Sequence, residues 1–152
     1  MATSAKINPV EFAHALQGFR GSETFERIGV GRRHLVSEGV KYLVEQAGAY
    51  WLAEAIASHQ MWPTFRCEAA DFQCWFLAVN GSRTVLWCEF KTTVIAARQL
   101  VPYTDFPLGG TTEDITRFDE KMATRLRSRD TFKLFAARNQ LGGITIMLPS
   151  EY

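Results

Sequence analysis

The chain has 152 residues, 47% of them hydrophobic and 22% charged, with a formal net charge of +1. This size suits one domain that can bury a core without disulfides or metal, and the composition excludes a wholly disordered chain. Near-neutral charge also excludes a global attraction to nucleic acid or an anionic membrane, so electrostatic recognition must come from a local patch.

No stretch approaches the roughly 20 apolar residues of a membrane span, and residues 1–12 lack the apolar run of a secretory signal. Cys67, Cys74 and Cys88 are an odd set without the spacing of a disulfide framework. The expectation is a cytoplasmic protein.

Asn8 and Pro9 open a short helix through residue 17, since Asn is a strong N-cap and Pro suits the first helical position. Gly18 and Gly21 end it, and the glycine-punctuated residues 19–36 read as loop. Residues 37–60 are the strongest helical block. Ser37 can cap it, and Val40, Leu43, Val44 and Ala47 form an inward stripe. Between Ala47 and Ala57 the only charge is Glu54, the pattern of a helix buried on several sides. Gly48 sits in the middle, where it costs about 1 kcal/mol relative to Ala. It marks either a break into two helices or a close contact with a sheet.

Trp62-Pro63 ends that block. Residues 72–79 alternate weakly, and Asn80-Gly81 predicts a two-residue hairpin turn because both positions tolerate positive φ. The partner strand is expected at 84–90 and a third at 94–101. Pro102 and Pro107 hold the residues between them irregular or extended. Gly142-Gly143 leads into a short last strand at 144–148. The predicted class is α+β: N-terminal helices packed on a small antiparallel sheet, made of a three-strand meander plus the C-terminal strand.

Residues 111–140 read as a charged helical arm inserted into this sheet. Ile115, Phe118, Met122 and Leu126 would give a helix over 111–127 one narrow apolar stripe. The same helix would align Arg117, Lys121 and Arg125, and Arg127, Arg129, Lys133 and Arg138 extend the positive charge. Against this, Glu113, Asp114, Asp119 and Glu120 make the first half acidic. Acid at the start and base at the end is what the helix dipole favours, so the pattern is partly explained without a partner. The arm reads first as a surface helix docked by that stripe with its charges solvated. It reads next as a display of its charges, or of Phe132 and Phe135, to a protein or a second copy, and last as a grip on nucleic acid.

Other candidate sites are weak. The histidines are His14, His34 and His59, and no CxxC or HExxH string accompanies them, so no metal ligand set is expected. A Cys67 nucleophile paired with His34 or His59 lacks a third group to orient it. Gly29-Val30-Gly31-Arg32-Arg33 resembles a phosphate loop only superficially, without a preceding strand or a Gly-Lys-Ser/Thr ending, and reads as a solvated basic turn. Tyr103, Asp105 and Phe106 are read as rings and a turn that cover the core, with protein anchoring as the sharper alternative. Glu54 is read as lying on the wet edge of its helix or pairing with a base, with a functional carboxylate as the sharper alternative. Tyr152 is read as packing against the helices, with a displayed tail as the alternative.

Four strings occur together and in order: GVKYLVEQAGAYWLAEAIASHQ at 39–60, FQCWFLAVNG at 72–81, VPYTDFPL at 101–108 and MLPSEY at 147–152. With them the chain, from about residue 31 onward, resembles a bacterial family of small proteins described only as a domain of unknown function. That resemblance implies a setting on phages, plasmids and other mobile elements, and transfers no catalytic residue. Members usually join the YTDFPL-like and LPSEY-like strings by a short connection, which makes the arm look inserted here.

The combined expectation is a single domain over residues 1–152, a non-catalytic accessory protein of a mobile element without cofactor or metal. Its partner would be a host protein or ribonucleoprotein complex, and its outcome inhibition of a defence system of the CRISPR or restriction type. A second copy of the chain is a further candidate partner, and no membrane is involved. The contacts are assigned to Arg117, Lys121, Arg125, Arg127, Arg129 and Lys133. A nucleic-acid-binding module using the same arm is the main alternative, and a small enzyme the other.

Overall fold

The computed structural model describes residues 7–29, 33–90, 95–101, 106–127 and 131–152. Helix α1 is Pro9–Gln17, and the Asn8 carboxamide accepts the Val10 and Glu11 N–H groups at 3.0 and 3.2 Å, as the cap signal predicts. The main helical block breaks at Gly48 into α2 (Glu38–Ala47) and α3 (Tyr50–His59). Gly48 stands at φ +62°, a left-handed C-cap that favours glycine. Of the two readings of this glycine, the break is the one observed.

Seven strands follow or interrupt these helices: β1 (Glu26–Ile28), β2 (His34–Val36), β3 (Phe72–Asn80), β4 (Arg83–Glu89), β5 (Ile95–Val101), β6 (Phe132–Arg138) and β7 (Ile144–Met147). They make one sheet in the order β1-β2-β7-β6-β3-β4-β5. All neighbours are antiparallel except β2 and β7, which run parallel, so the sheet is mixed. The class is α+β, with a larger sheet than four strands.

The β3–β4–β5 meander forms as predicted, with the turn one residue later. Asn80 pairs with Arg83, so Gly81 (φ +66°) and Ser82 are the turn residues. The Asn80 carboxamide instead donates to the Glu113 carbonyl at 2.7 Å. Two strands lie in the segment expected to be loop, β1 and β2. Strands of three residues carry too little alternation to register, and β2 is held by β7, over a hundred residues away in the chain.

Alternate strand residues build two separate cores. Trp75, Leu77, Leu86, Cys88, Leu134, Ala136, Ile144 and Ile146 face Phe12, Leu16, Val40, Leu43, Leu52 and Ile56 of the three N-terminal helices. On the other face Phe76, Ala78, Val85 and Trp87 meet Ile115, Phe118, Met122, Ala123 and Leu126. Those last residues come from a 3-10 turn, Ile115–Arg117, from α4, Glu120–Arg127, and, for Phe118, from the extended residue that follows the turn.

The expected helical arm over 111–140 is therefore corrected. Its apolar stripe is real, but it is the lid of a second core. At about 2 kcal/mol for each large apolar side chain buried, it is bound firmly to the sheet. Its second half is β6, an interior strand between β3 and β7. Leu134 and Ala136 point to one core with period two, which overrides any helical reading of that basic stretch. The lid covers only part of its face. Phe72, Phe135 and Met147 stay half-buried, with Tyr152 laid over Phe72 and Phe135 at ring separations of 4.9 and 5.7 Å. Tyr152 thus lies against the face opposite the helices and remains 75% exposed.

Candidate functional site

Of the six cations expected to bind a partner, the five described ones are spread over a 3-10 turn, α4 and β6. Arg117 belongs to the 3-10 turn and Lys121 and Arg125 to α4, with Phe118 extended between them, so the row of three is broken. Both short elements are capped by the acids that precede them. Asp114 accepts the Thr116 N–H and hydroxyl, and Asp119 accepts the Met122 N–H at 2.8 Å. Those Thr116 bonds, with the Arg117 charge, hold the Asp114 carboxyl below its ordinary range.

Two of the six cations are already engaged. Arg125 grips Glu113 through Nε and Nη2 at 2.9 and 3.1 Å. Arg127 grips Glu89 the same way at 2.9 and 2.8 Å, and the Trp87 indole donates to that carboxylate at 2.8 Å. Glu89 is 2% exposed, so this pair belongs to the core beneath the lid. Arg117 is well exposed and 3.7 Å from Asp114. Lys121 is exposed on α4, and Lys133 lies on β6 with its ammonium 5.8 Å from the Phe76 ring centre. Arg129 lies outside the described residues.

A different group of cations does converge. Because β2 and β7 run parallel, their first residues lie at the same end of the sheet, and the antiparallel β6 brings its last residue, Arg138, to that end too. Arg33 and His34 enter β2 there, and Gly142, Gly143 and Ile144 enter β7. Arg66 and Met61 arrive from the segment after α3. Together they line a cleft of about 290 Å³.

Each wall of this cleft has a definite anchor. Arg138 donates to Asp71 at 2.9 Å and to the Phe65 and Cys67 carbonyls at 3.5 and 3.4 Å. Asn139 donates to the Arg33 carbonyl at 2.9 Å and accepts the Leu141 and Gly143 N–H groups. A Cβ on Gly143 would stand 2.3 Å from the Arg33 carbonyl oxygen, so only glycine allows these strands to meet. His34 accepts the Ile144 N–H on Nδ1 at 3.1 Å, which places the ring proton on Nε2, and burial pushes its pKa down.

The charges of the cleft are unevenly balanced. Arg138 is neutralised by Asp71. Arg66 makes one side-chain bond, to the Met61 carbonyl at 3.3 Å. Neither Arg33 nor Arg66 has a carboxylate partner among the described residues. Beside them Met61 is 68% exposed, Trp62 47% and Leu141 40%. Sequence reading had Arg33 in a basic turn, of which residues 30–32 lie outside the described residues, and counted Arg138 with the arm; it missed Arg66. Each looks like a surface charge until β2, β6, β7 and the segment after α3 come together.

The remaining candidates fall into structural places. Glu54 is exposed on α3. His59 donates from Nδ1 to the Ala55 carbonyl at 2.8 Å and packs among Trp62, Phe65 and Trp75. Cys88 is buried, which pushes its thiol far up, and Cys67 is exposed. Phe106 is in the core against Trp51 and Phe132, while Tyr103 and Asp105 lie outside the described residues. Near the end of the chain, Glu151 accepts the hydroxyls of Ser22 and Ser37 at 2.6 and 2.5 Å and the N–H groups of Gly39 and Leu148 at 3.2 and 2.9 Å. Two of the four strings, at 39–60 and 147–152, meet in this clasp. No three His, Cys, Asp or Glu side chains among the described residues are grouped to hold a metal ion. No described helix is long and apolar enough to cross a membrane.

A family of unknown function, DUF6876, matches residues 11–152. No curated protein and no solved structure matches the chain.

Proposed function

We propose that this chain, which belongs to that family of unknown function, is a non-catalytic binding protein that meets a macromolecular partner at the arginine-lined end of its sheet. The observation that carries this reading is the pair Arg33 and Arg66, without carboxylate partners among the described residues, with the exposed Met61 in the same cleft and the exposed Trp62 and Leu141 next to its lining in the chain. Protein interfaces concentrate Arg, Trp and Met, with the apolar groups anchoring and the charges selecting. The lid offers less, because Arg125 and Arg127 would have to leave Glu113 and Glu89 to contact anything else. Binding is preferred over catalysis because the one base lining the cleft, His34, has its Nδ1 lone pair occupied by the Ile144 N–H.

The resemblance to phage and plasmid proteins supports placing this role in a mobile element acting in the host cytoplasm. The partner is then a host protein or ribonucleoprotein, and inhibition of a defence system is the outcome to assay. The test is capture from host lysate by tagged protein, comparing R33E/R66E with R117E/K121E. The retained partner should be lost with the first variant and kept with the second. The reverse pattern would return the site to the lid. Capture that is abolished by nuclease and falls steeply with salt would favour the nucleic-acid alternative.

A further inference from the structure

We propose that the cleft between the starts of β2 and β7 is a subsite for a phosphate monoester. The inference rests on the reading that this cleft is the contact site, and names the chemical group that enters it.

Three guanidiniums line one cleft, and one of them, Arg138, is held in place by Asp71 and two carbonyls. With that pair neutral, Arg33 and Arg66 leave a charge of two to be balanced, and no acidic side chain is among the described residues of the lining to do so. A phosphate monoester carries close to two negative charges at neutral pH and three terminal oxygens. A carboxylate carries one charge and is satisfied by a single guanidinium fork, so it would leave the second arginine unbalanced. The neutral His34 suits the same ligand. Its Nδ1 is taken by Ile144, so the ring presents an N–H donor and no free acceptor to repel an oxyanion. The other polar side chain in the lining, Gln60, is closed off. It exchanges reciprocal amide hydrogen bonds with Gln73 at 2.8 Å. The described polar side chains left open in the lining are therefore donors. Its volume of about 290 Å³ admits the phosphate and the start of whatever carries it.

The carrier is either a small molecule, such as a nucleotide, or the terminal phosphate of a nucleic-acid strand. The experiment titrates the intact protein at fixed ionic strength with inorganic phosphate, acetate and a nucleoside 5′-monophosphate. It adds a short single strand with and without its 5′-phosphate. Phosphorus NMR and the arginine Nε–H signals report the contact, and melting curves confirm that each variant is folded.

Inorganic phosphate should saturate one site, and acetate should not compete for it. R33M/R66M, which keeps the apolar stems, should weaken binding by about tenfold or more, while R117M/K121M leaves it unchanged. Tighter binding of the phosphorylated strand than of the nucleotide identifies a strand end as the source, and equal binding identifies a free nucleotide. Competition by acetate, unchanged binding in R33M/R66M, or equal binding of the strand lacking its 5′-phosphate each overturns the proposal. If phosphate fails while lysate capture still depends on Arg33 and Arg66, only the identity of the bound group falls. If capture is also indifferent to those residues, the site itself falls.

Discussion

Removing the Arg127 guanidinium tests whether the segment after residue 110 is part of the fold or a detachable arm. In R127M the side chain keeps its stem, so what is lost is the double contact to Glu89 at 2.8–2.9 Å. Glu89 is left 2% exposed with one remaining side-chain donor, the Trp87 indole. Breaking a buried pair from one side costs roughly 3–5 kcal/mol, because the surviving charge is desolvated without compensation. The Arg127 side chain is 28% exposed, so water can reach the vacated position and the lower end applies, about 3 kcal/mol. With a urea m-value of about 2 kcal/mol/M, the unfolding midpoint should fall by about 1.5 M. The double variant E89Q/R127M removes the unpaired charge and should recover more than half of the loss, which a double-mutant cycle measures directly. A loss below about 1 kcal/mol in R127M, the range of exposed ion pairs, would refute the assignment of this contact to the core.

Glu151→Ala removes the acceptor that joins Ser22, Ser37, Gly39 and Leu148, and should cost about 3 kcal/mol. Hydrogen exchange should accelerate at the first turn of α2, and a uniform change across all helices would count against the clasp. For His34 the folded pKa lies below its unfolded value of about 6.5. The unfolded chain therefore takes up the proton first, and stability is full above that pH and declines as pH falls below it. Arg33, Arg66 and Arg138 line the cleft with the ring, and burial is the cause of its shift. Half-burial makes the effect modest, so it is read by comparison. Between about pH 7.5 and about pH 5.5 the melting temperature should fall more in the native chain than in His34→Gln. Equal slopes would remove the His34–Ile144 bond from the account.

Legibility in the sequence followed the range of the interactions. Asn8-Pro9, Ser37, Gly48 and the β3–β4 turn act over four residues or fewer, and each marked its element to within about a residue. What failed was pairing at a distance. Residues 132–138 hold Leu134 and Ala136 at strand spacing, but Lys133 and Arg138 made them look like a continuation of a basic helix. Only the presence of β3 on one side and β7 on the other turns that spacing into a strand. The lid was half legible. Its four apolar residues were identified correctly, whereas their target, Phe76 and Trp87, was not. The cleft was least legible, since Arg33, Arg66 and Arg138 share no local motif and meet only where β2, β6, β7 and the segment after α3 come together.

The parallel β2–β7 pair also sets an order of events. β7 is the last strand along the chain yet occupies an interior place in the sheet, with β2 on one side and β6 on the other. Until residues 144–147 dock, the β1–β2 ribbon has no bond to the other strands, and β6 exposes an unpaired edge. Closing the sheet requires contacts across more than a hundred residues, the kind of non-local pairing that slows folding. The β3–β4–β5 meander and the β6–β7 hairpin pair locally and can assemble first. Pairing of β2 with β7 then joins the β1–β2 ribbon to them, seats Glu151 against the start of α2 and forms the arginine cleft in one step. The folding of this chain and the formation of its candidate site are thereby the same late event.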